Sequence, residues 1–149
     1  MRVQAKEEIV LPEPAAPRGA YLPAVRAGNL LFVSGMLPIE NGKVAVTGKV
    51  GGEVSVEEGR NAARLAALNA LAVIEKYAGG FENVRRIVKV TGYVNSSPGF
   101  TSQPQVLDGA SELLSKLFGE AGRHARAAVG VAELPADAAV EIEMICEVG

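Results

Sequence analysis

The sequence predicts a single α+β domain. Three observations lead there. A long alanine-rich stretch repeats its apolar residues at helical spacing, a shorter stretch does the same, and runs of strand character surround both. At 149 residues the chain is one domain's worth, long enough to bury a core without disulfide or metal staples.

The elements follow in order. Pro12, Pro14 and Pro17 deny the first residues a stable helix or central strand. Residues 1–17 therefore read as an arm lying across a domain of residues 18–149. Segments 21–26 and 29–34 read as two strands joined at Ala27-Gly28-Asn29. The unbroken apolar run Leu30-Leu31-Phe32-Val33 suits a strand covered on both faces. Gly35 ends it, Pro38 opens a loop, and 43–46 is a short candidate strand between Gly42 and Gly48.

A helix is expected over 56–77. Ser55-Val56-Glu57-Glu58 is a capping box, and the two acids complement the positive helix start. Ala63, Ala67, Leu71 and Ile74 form its apolar stripe, flanked by Ala66, Ala70 and Tyr77. So many alanines imply close packing on a sheet. Gly79-Gly80 stops the helix. Segment 84–96 is the next strand, and Ser97-Pro98-Gly99 is a turn. Pro104 suits the first turn of a second helix with core residues Ala110, Leu113, Leu114, Leu117 and Phe118, ended by Gly119 and Gly122. Two strands, 124–132 and 139–148, close the chain. In the last, Val140, Ile142, Met144, Cys146 and Val148 alternate with Glu141, Glu143 and Glu147. The order is ββ(β)αβαββ.

Composition narrows the chemistry. One Cys and one His cannot supply a zinc site from nitrogen and sulfur ligands, nor an internal disulfide. No metal-ligand cluster, P-loop or GxGxxG is present. No apolar run reaches the length of a membrane span, and the charged start reads as no signal peptide, so a cytoplasmic home is expected. A net charge of −2 disfavours a general nucleic-acid partner. Arg85, Arg86 and Lys89 read as a solvated strand edge.

Arg126 stands out among small neighbours. Alternation places His124, Arg126, Ala128 and Gly130 on one face, leaving room for a ligand carboxylate or phosphate on the guanidinium. The alternative is an ion pair with Glu141 or Glu143 across a terminal hairpin. Either glutamate could serve as a general base or simply line a solvated face. His124 reads as a surface or interface residue, Cys146 as buried and inert, and Gly35 as a turn glycine or an exposed backbone group. Asp108-Gly109-Ala110-Ser111 puts small residues early in the second helix, where a ligand, a neighbouring subunit or the sheet could approach closely.

Several segments together resemble the RidA/YjgF family. They are Tyr21-Leu22-Pro23-Ala24-Val25 with 28–35, and the stretch 126–135 followed by Val140-Glu141-Ile142-Glu143. The resemblance implies a chorismate-mutase-like fold, a mixed sheet with two helices on one face, assembled as a homotrimer with ligand clefts between subunits. It implies hydrolysis of reactive enamines and imines, such as 2-aminoacrylate, to 2-keto acids and ammonia, with no metal or bound cofactor. Carried over by motif, Arg126 holds the substrate carboxylate and Glu141 positions the attacking water. Tyr21, Gly35, Gly109, His124 and Ala128 border the cleft.

The sequence also departs from the family's pattern. Its usual Ser-Gly-Gln reads Ser34-Gly35-Met36, its common Cys near the arginine is Ala128, and its cleft Asn is Gly109. Two other readings stay open. One is a small-molecule or keto-acid sensor without turnover. The other is a ribonuclease or translation inhibitor, which the acidic balance and single His disfavour.

Overall fold

A computed structural model describes residues 9–149; the first eight residues of the expected arm lie outside that range. The arm from Ile9 to Pro17 carries no helix or strand, and Ile9 and Leu11 pack against the core. Strands β1 (Ala24–Ala27) and β2 (Leu30–Met36) form the opening hairpin. β1 starts only after Pro23, which has no N–H to give to a ladder. The short strand expected at 43–46 is β4 (Lys43–Val44), and it pairs with β3 (Ile39–Glu40) in a separate two-stranded sheet.

Helix α1 (Val56–Ala78) begins with the expected capping box. Ser55 Oγ accepts from Glu58 N at 3.1 Å, and Glu58 Oε1 accepts from Ser55 N at 3.2 Å. Its alanine stripe is buried, while Tyr77 is exposed. Strand β5 (Val84–Asn95), helix α2 (Gln103–Phe118), strand β6 (Ala125–Val131) and strand β7 (Val140–Val148) follow. Pro104 occupies the first turn of α2, and all five expected core residues of that helix are buried.

The sheet order is β1-β2-β7-β5-β6. β6 runs parallel to β5, and the other pairings are antiparallel, so the sheet is mixed. α1 packs on β2 and β7, α2 packs on β5 and β6, and the two helices pack on each other over the same face. The terminal hairpin expected between the last two strands is absent: β5 lies between β6 and β7. β5, α2 and β6 form a crossover unit that brings β6 home parallel to β5, and the chain then steps over to β7. Asn95 at the end of β5 secures that step, since its Nδ2 donates to Asp137 Oδ1 at 3.3 Å and to Ala138 O at 3.2 Å.

The basic cluster also sits differently from a simple edge. β5 is an inner strand, but β6 joins it only from Lys89 onward, so Arg85 and Arg86 precede that pairing and are exposed. β7 alternates as read. Its five apolar residues, Cys146 among them, face the helices and are buried, and burial pushes the Cys146 thiol up to about 11.

Candidate active site

Glu141 points away from the helices, because its neighbours Val140 and Ile142 are fully buried beneath them. On the adjoining strand the β2–β7 register breaks between Val33 and Met36, and Gly35 sits in the irregularity. A Cβ at Gly35 would lie 3.0 Å from Glu141 Cδ. The missing side chain is therefore what makes room for the carboxyl, a closer use of this glycine than a simple turn.

A cavity of about 250 Å³ opens above that carboxyl, walled by Tyr21, Met36 and Leu37 and rimmed by Pro17 and Arg18 of the arm. Tyr21 is held in place by Arg18, whose backbone N–H donates to the phenolic oxygen at 3.3 Å. Asn69 of α1 also reaches the cavity. Its Nδ2 donates to Leu37 O and Ile39 O, both at 3.0 Å, and so fixes the wall.

Burial raises the proton affinity of Glu141 above the usual carboxylate range, and the like charge of Glu143 adds to it. Glu143 accepts a hydrogen bond from Tyr93 Oη at 2.6 Å, which pushes the Tyr93 phenol up to about 12. The two carboxyls thus differ in surroundings: Glu143 is engaged by a phenol, while Glu141 stands at the cavity floor as a stronger base than an ordinary carboxylate.

Arg126 lies elsewhere. It is level with Val90 of β5, which is level with Met144 of β7, and both are buried under the helices. Its partner is neither Glu141 nor Glu143. Arg126 Nη1 donates to Asp108 Oδ1 at 2.8 Å and to Ser111 Oγ at 3.1 Å, both on α2. His124 Nε2 stands 2.9 Å from Ser111 Oγ, and its Nδ1 is 2.7 Å from Gly122 O. These groups line a second, open depression of about 260 Å³.

One chain does not bring Arg126 and Glu141 together. Glu141 is level with Tyr93 and Arg126 with Val90, on either side of β5. Strand spacing and rise put their Cα atoms about 14 Å apart, with the side chains on opposite faces of the sheet. Tyr21 and Gly35 belong to the Glu141 half, and His124 to the Arg126 half. Ala128 shares the face of Arg126, packed against the core. Gly109 turns the other way: a Cβ there would sit 2.2 Å from the carbonyl oxygen of Arg60 on α1. The close approach that this glycine permits is that of the other helix.

Asn69 escaped the sequence reading as a site residue; segment 108–111 was read as a place of close approach, but not Asp108 and Ser111 as the partners of Arg126. Asn69 carried a signal, being the one polar residue within the otherwise apolar run from Leu65 to Ile74. Asp108 and Ser111 are three apart and so share a helix face, but nothing local says that this face meets Arg126.

A mixed sheet with two helices on one face and a polar half-site on either side defines a chorismate-mutase-like α+β domain. The family model described as "YjgF/chorismate mutase-like, putative endoribonuclease" matches residues 2–148, and the chain belongs to that family. The match includes the arm. Protein TCP17 of Trypanosoma cruzi is 46% identical over 140 residues, covering 93% of this chain and 88% of that protein. The crystal structure of Atu1372, a protein of unknown function from Agrobacterium tumefaciens, superposes with a TM-score of 0.85 at 50% identity, covering 86% and 82% of the two chains. A protein named 2-iminobutanoate/2-iminopropanoate deaminase, from Dermatophagoides farinae, is 33% identical over 139 residues, covering 91% of this chain and 93% of its own.

Proposed function

We propose that this protein hydrolyses reactive enamines and imines of small 2-keto acids, releasing the keto acid and ammonia, in a cleft completed by a second copy of the chain. The observation that carries this reading is the half-buried Glu141 carboxyl, with raised proton affinity, at the floor of a mostly apolar cavity sized for a few-carbon acid. The named deaminase among its relatives supports the same chemistry.

An iminium carbon is already electrophilic, so orientation and a placed water do most of the work. Arg126 takes the carboxylate. Its Nη1 protons are committed to Asp108 and Ser111, and among the described residues nothing bonds to Nε or Nη2. That free edge matches the two oxygens of a carboxylate. Glu141 accepts the proton of the attacking water, and the carbinolamine that forms collapses to ketone and ammonia. Because Arg126 and Glu141 lie too far apart in one chain for a small substrate to touch both, the reading pairs Arg126 of one subunit with Glu141 of its neighbour in a homotrimer.

The test is ammonia and keto-acid release from imines made by an excess of amino-acid oxidase, with and without this protein. Acceleration that is lost in Arg126→Ala is the expected result. Tight keto-acid binding without acceleration would make the protein a sensor. RNA cleavage that survives stringent purification, with no effect on imines, would make it a nuclease.

A further inference from the structure

The cavity over Glu141 offers a ligand few charges. Its walls are mostly apolar, and among the described residues that line it Glu141 is the one acid and Arg18 the one cation. Asn69 is spent, since both protons of its Nδ2 go to the Leu37 and Ile39 carbonyls. Two side-chain donors remain at the rim. Arg18 is exposed and its hydrogen bond is made by its backbone, so among the described residues the guanidinium has no partner. Tyr21 Oη accepts that backbone N–H at 3.3 Å and keeps its own proton to give. The phenol therefore stands beside the residue that carries the guanidinium. A local turn brings them together: Tyr21 N donates to Gly19 O at 3.0 Å, and a Cβ at Gly19 would meet Cε1 of the Tyr21 ring at 3.2 Å.

We propose that Arg18, with the Tyr21 hydroxyl beside it, forms a second carboxylate site at the cavity rim and selects the imines of acidic amino acids, the short 2-iminodicarboxylates. The inference rests on the deaminase reading and names its substrate class. Arg18 and Glu141 do not neutralise each other: the proton affinity of that carboxyl is set by burial and by the charge of Glu143, not by a cation. The guanidinium is left for a ligand.

The reacting carbon belongs at Glu141, and the carboxylate next to it goes to Arg126 of a neighbouring subunit, as in the deaminase reading. The substrate's side chain then runs from the reacting carbon along the cavity wall. Its methylenes suit Met36 and Leu37. A terminal carboxylate does not suit them, because burying it there without a partner is costly, and beside Glu141 it would meet a like charge. At the rim a guanidinium and a phenol proton replace the water that this carboxylate sheds. An imine with an apolar side chain leaves both donors without a partner and gains only contact with the walls, which discriminates less strongly than a hydrogen-bonded charge.

The experiment compares kcat/KM for imines made in place by oxidases from glutamate and aspartate with those from leucine and methionine. It uses wild type, Arg18→Ala and Arg18→Lys, at low and high salt. Calorimetry with 2-oxoglutarate and 2-oxobutanoate reads binding apart from turnover. Wild type is expected to prefer the acidic imines, and Arg18→Ala to lower the ratio of acidic to apolar kcat/KM by about 10- to 100-fold. Affinity for 2-oxoglutarate falls by a similar factor. Arg18→Lys, which keeps the charge without the planar fork, recovers part of the ratio. Added salt raises KM for the acidic imines more than for the apolar ones. A wild type that prefers apolar imines, or a ratio unaltered in Arg18→Ala, overturns the rim site and leaves the deaminase reading standing. An equal loss for every imine in Arg18→Ala also overturns it, since the guanidinium then serves the carboxylate common to all. Absence of wild-type acceleration for every imine overturns both.

Discussion

At the scale of single residues, the two basic groups leave opposite marks on stability. Glu141 has a folded pKa above its ordinary 4.5, so the native chain binds protons more readily there than the unfolded chain. Carrying its charge into the fold is a cost at neutral pH that fades as pH falls through the folded value. Glu141→Gln should therefore raise the thermal midpoint at about pH 7.5, the gap closing toward about pH 4, while imine hydrolysis is lost. Melting curves across that range check it, and a lower midpoint at neutral pH would contradict the account of the buried carboxyl. His124 runs the other way. Its folded pKa lies below 6.5, the unfolded chain binds the extra proton, and stability falls as pH drops below about 6.5. In His124→Gln the stability curve should be flatter between about pH 6.5 and 5, measured by urea titration at each pH.

At the scale of elements, the crossing of α1 and α2 depends on one missing side chain. Gly109→Ala gains about 1 kcal/mol of helix propensity. Its Cβ would stand 2.2 Å from a backbone oxygen of Arg60, and no side-chain rotation relieves that contact. The helices must separate, and a net destabilisation of about 1–3 kcal/mol is expected in urea denaturation. Gly109→Asn, with a larger side chain at the same contact, should destabilise at least as much. The helices themselves were readable because their signals are local: the capping box at Ser55, the stripe through Leu71 and Ile74, the stop at Gly79. β7 was readable for the same reason, its glutamates alternating with buried residues. β6 was not. Ala125, Ala127, Ala128 and Gly130 give no contrast between faces, so nothing local told which way Arg126 points or which strand it adjoins. The parallel pairing with β5 is made through an intervening helix, and periodicity does not encode it. Arg126 and Glu141 were legible as residue types and by motif; Asp108 as the partner of the arginine was not.

At the scale of the whole molecule, the separation of Arg126 from Glu141 has a direct consequence. A reaction that needs both groups draws them from two chains, and loss of either group on one chain can be compensated by another. Arg126→Ala subunits keep an intact Glu141 half, and Glu141→Gln subunits keep an intact Arg126 half. Each variant alone should be inactive. When the two are unfolded together in equal amounts and reassembled, some clefts receive Arg126 from one variant and Glu141 from the other. Random assembly of a cyclic oligomer makes about one cleft in four whole, so about a quarter of the wild-type rate should return. The double variant Arg126→Ala/Glu141→Gln, mixed with wild type in the same way, should lower the rate to about a quarter as well, because each whole cleft then needs two wild-type neighbours. The coupled ammonia assay reads both mixtures, and a size measurement on each confirms that assemblies have re-formed. If the first mixture stays inactive although the oligomer has re-formed, both groups act from one chain. The facing of β6 and β7 on either side of β5 argues for the mixed cleft.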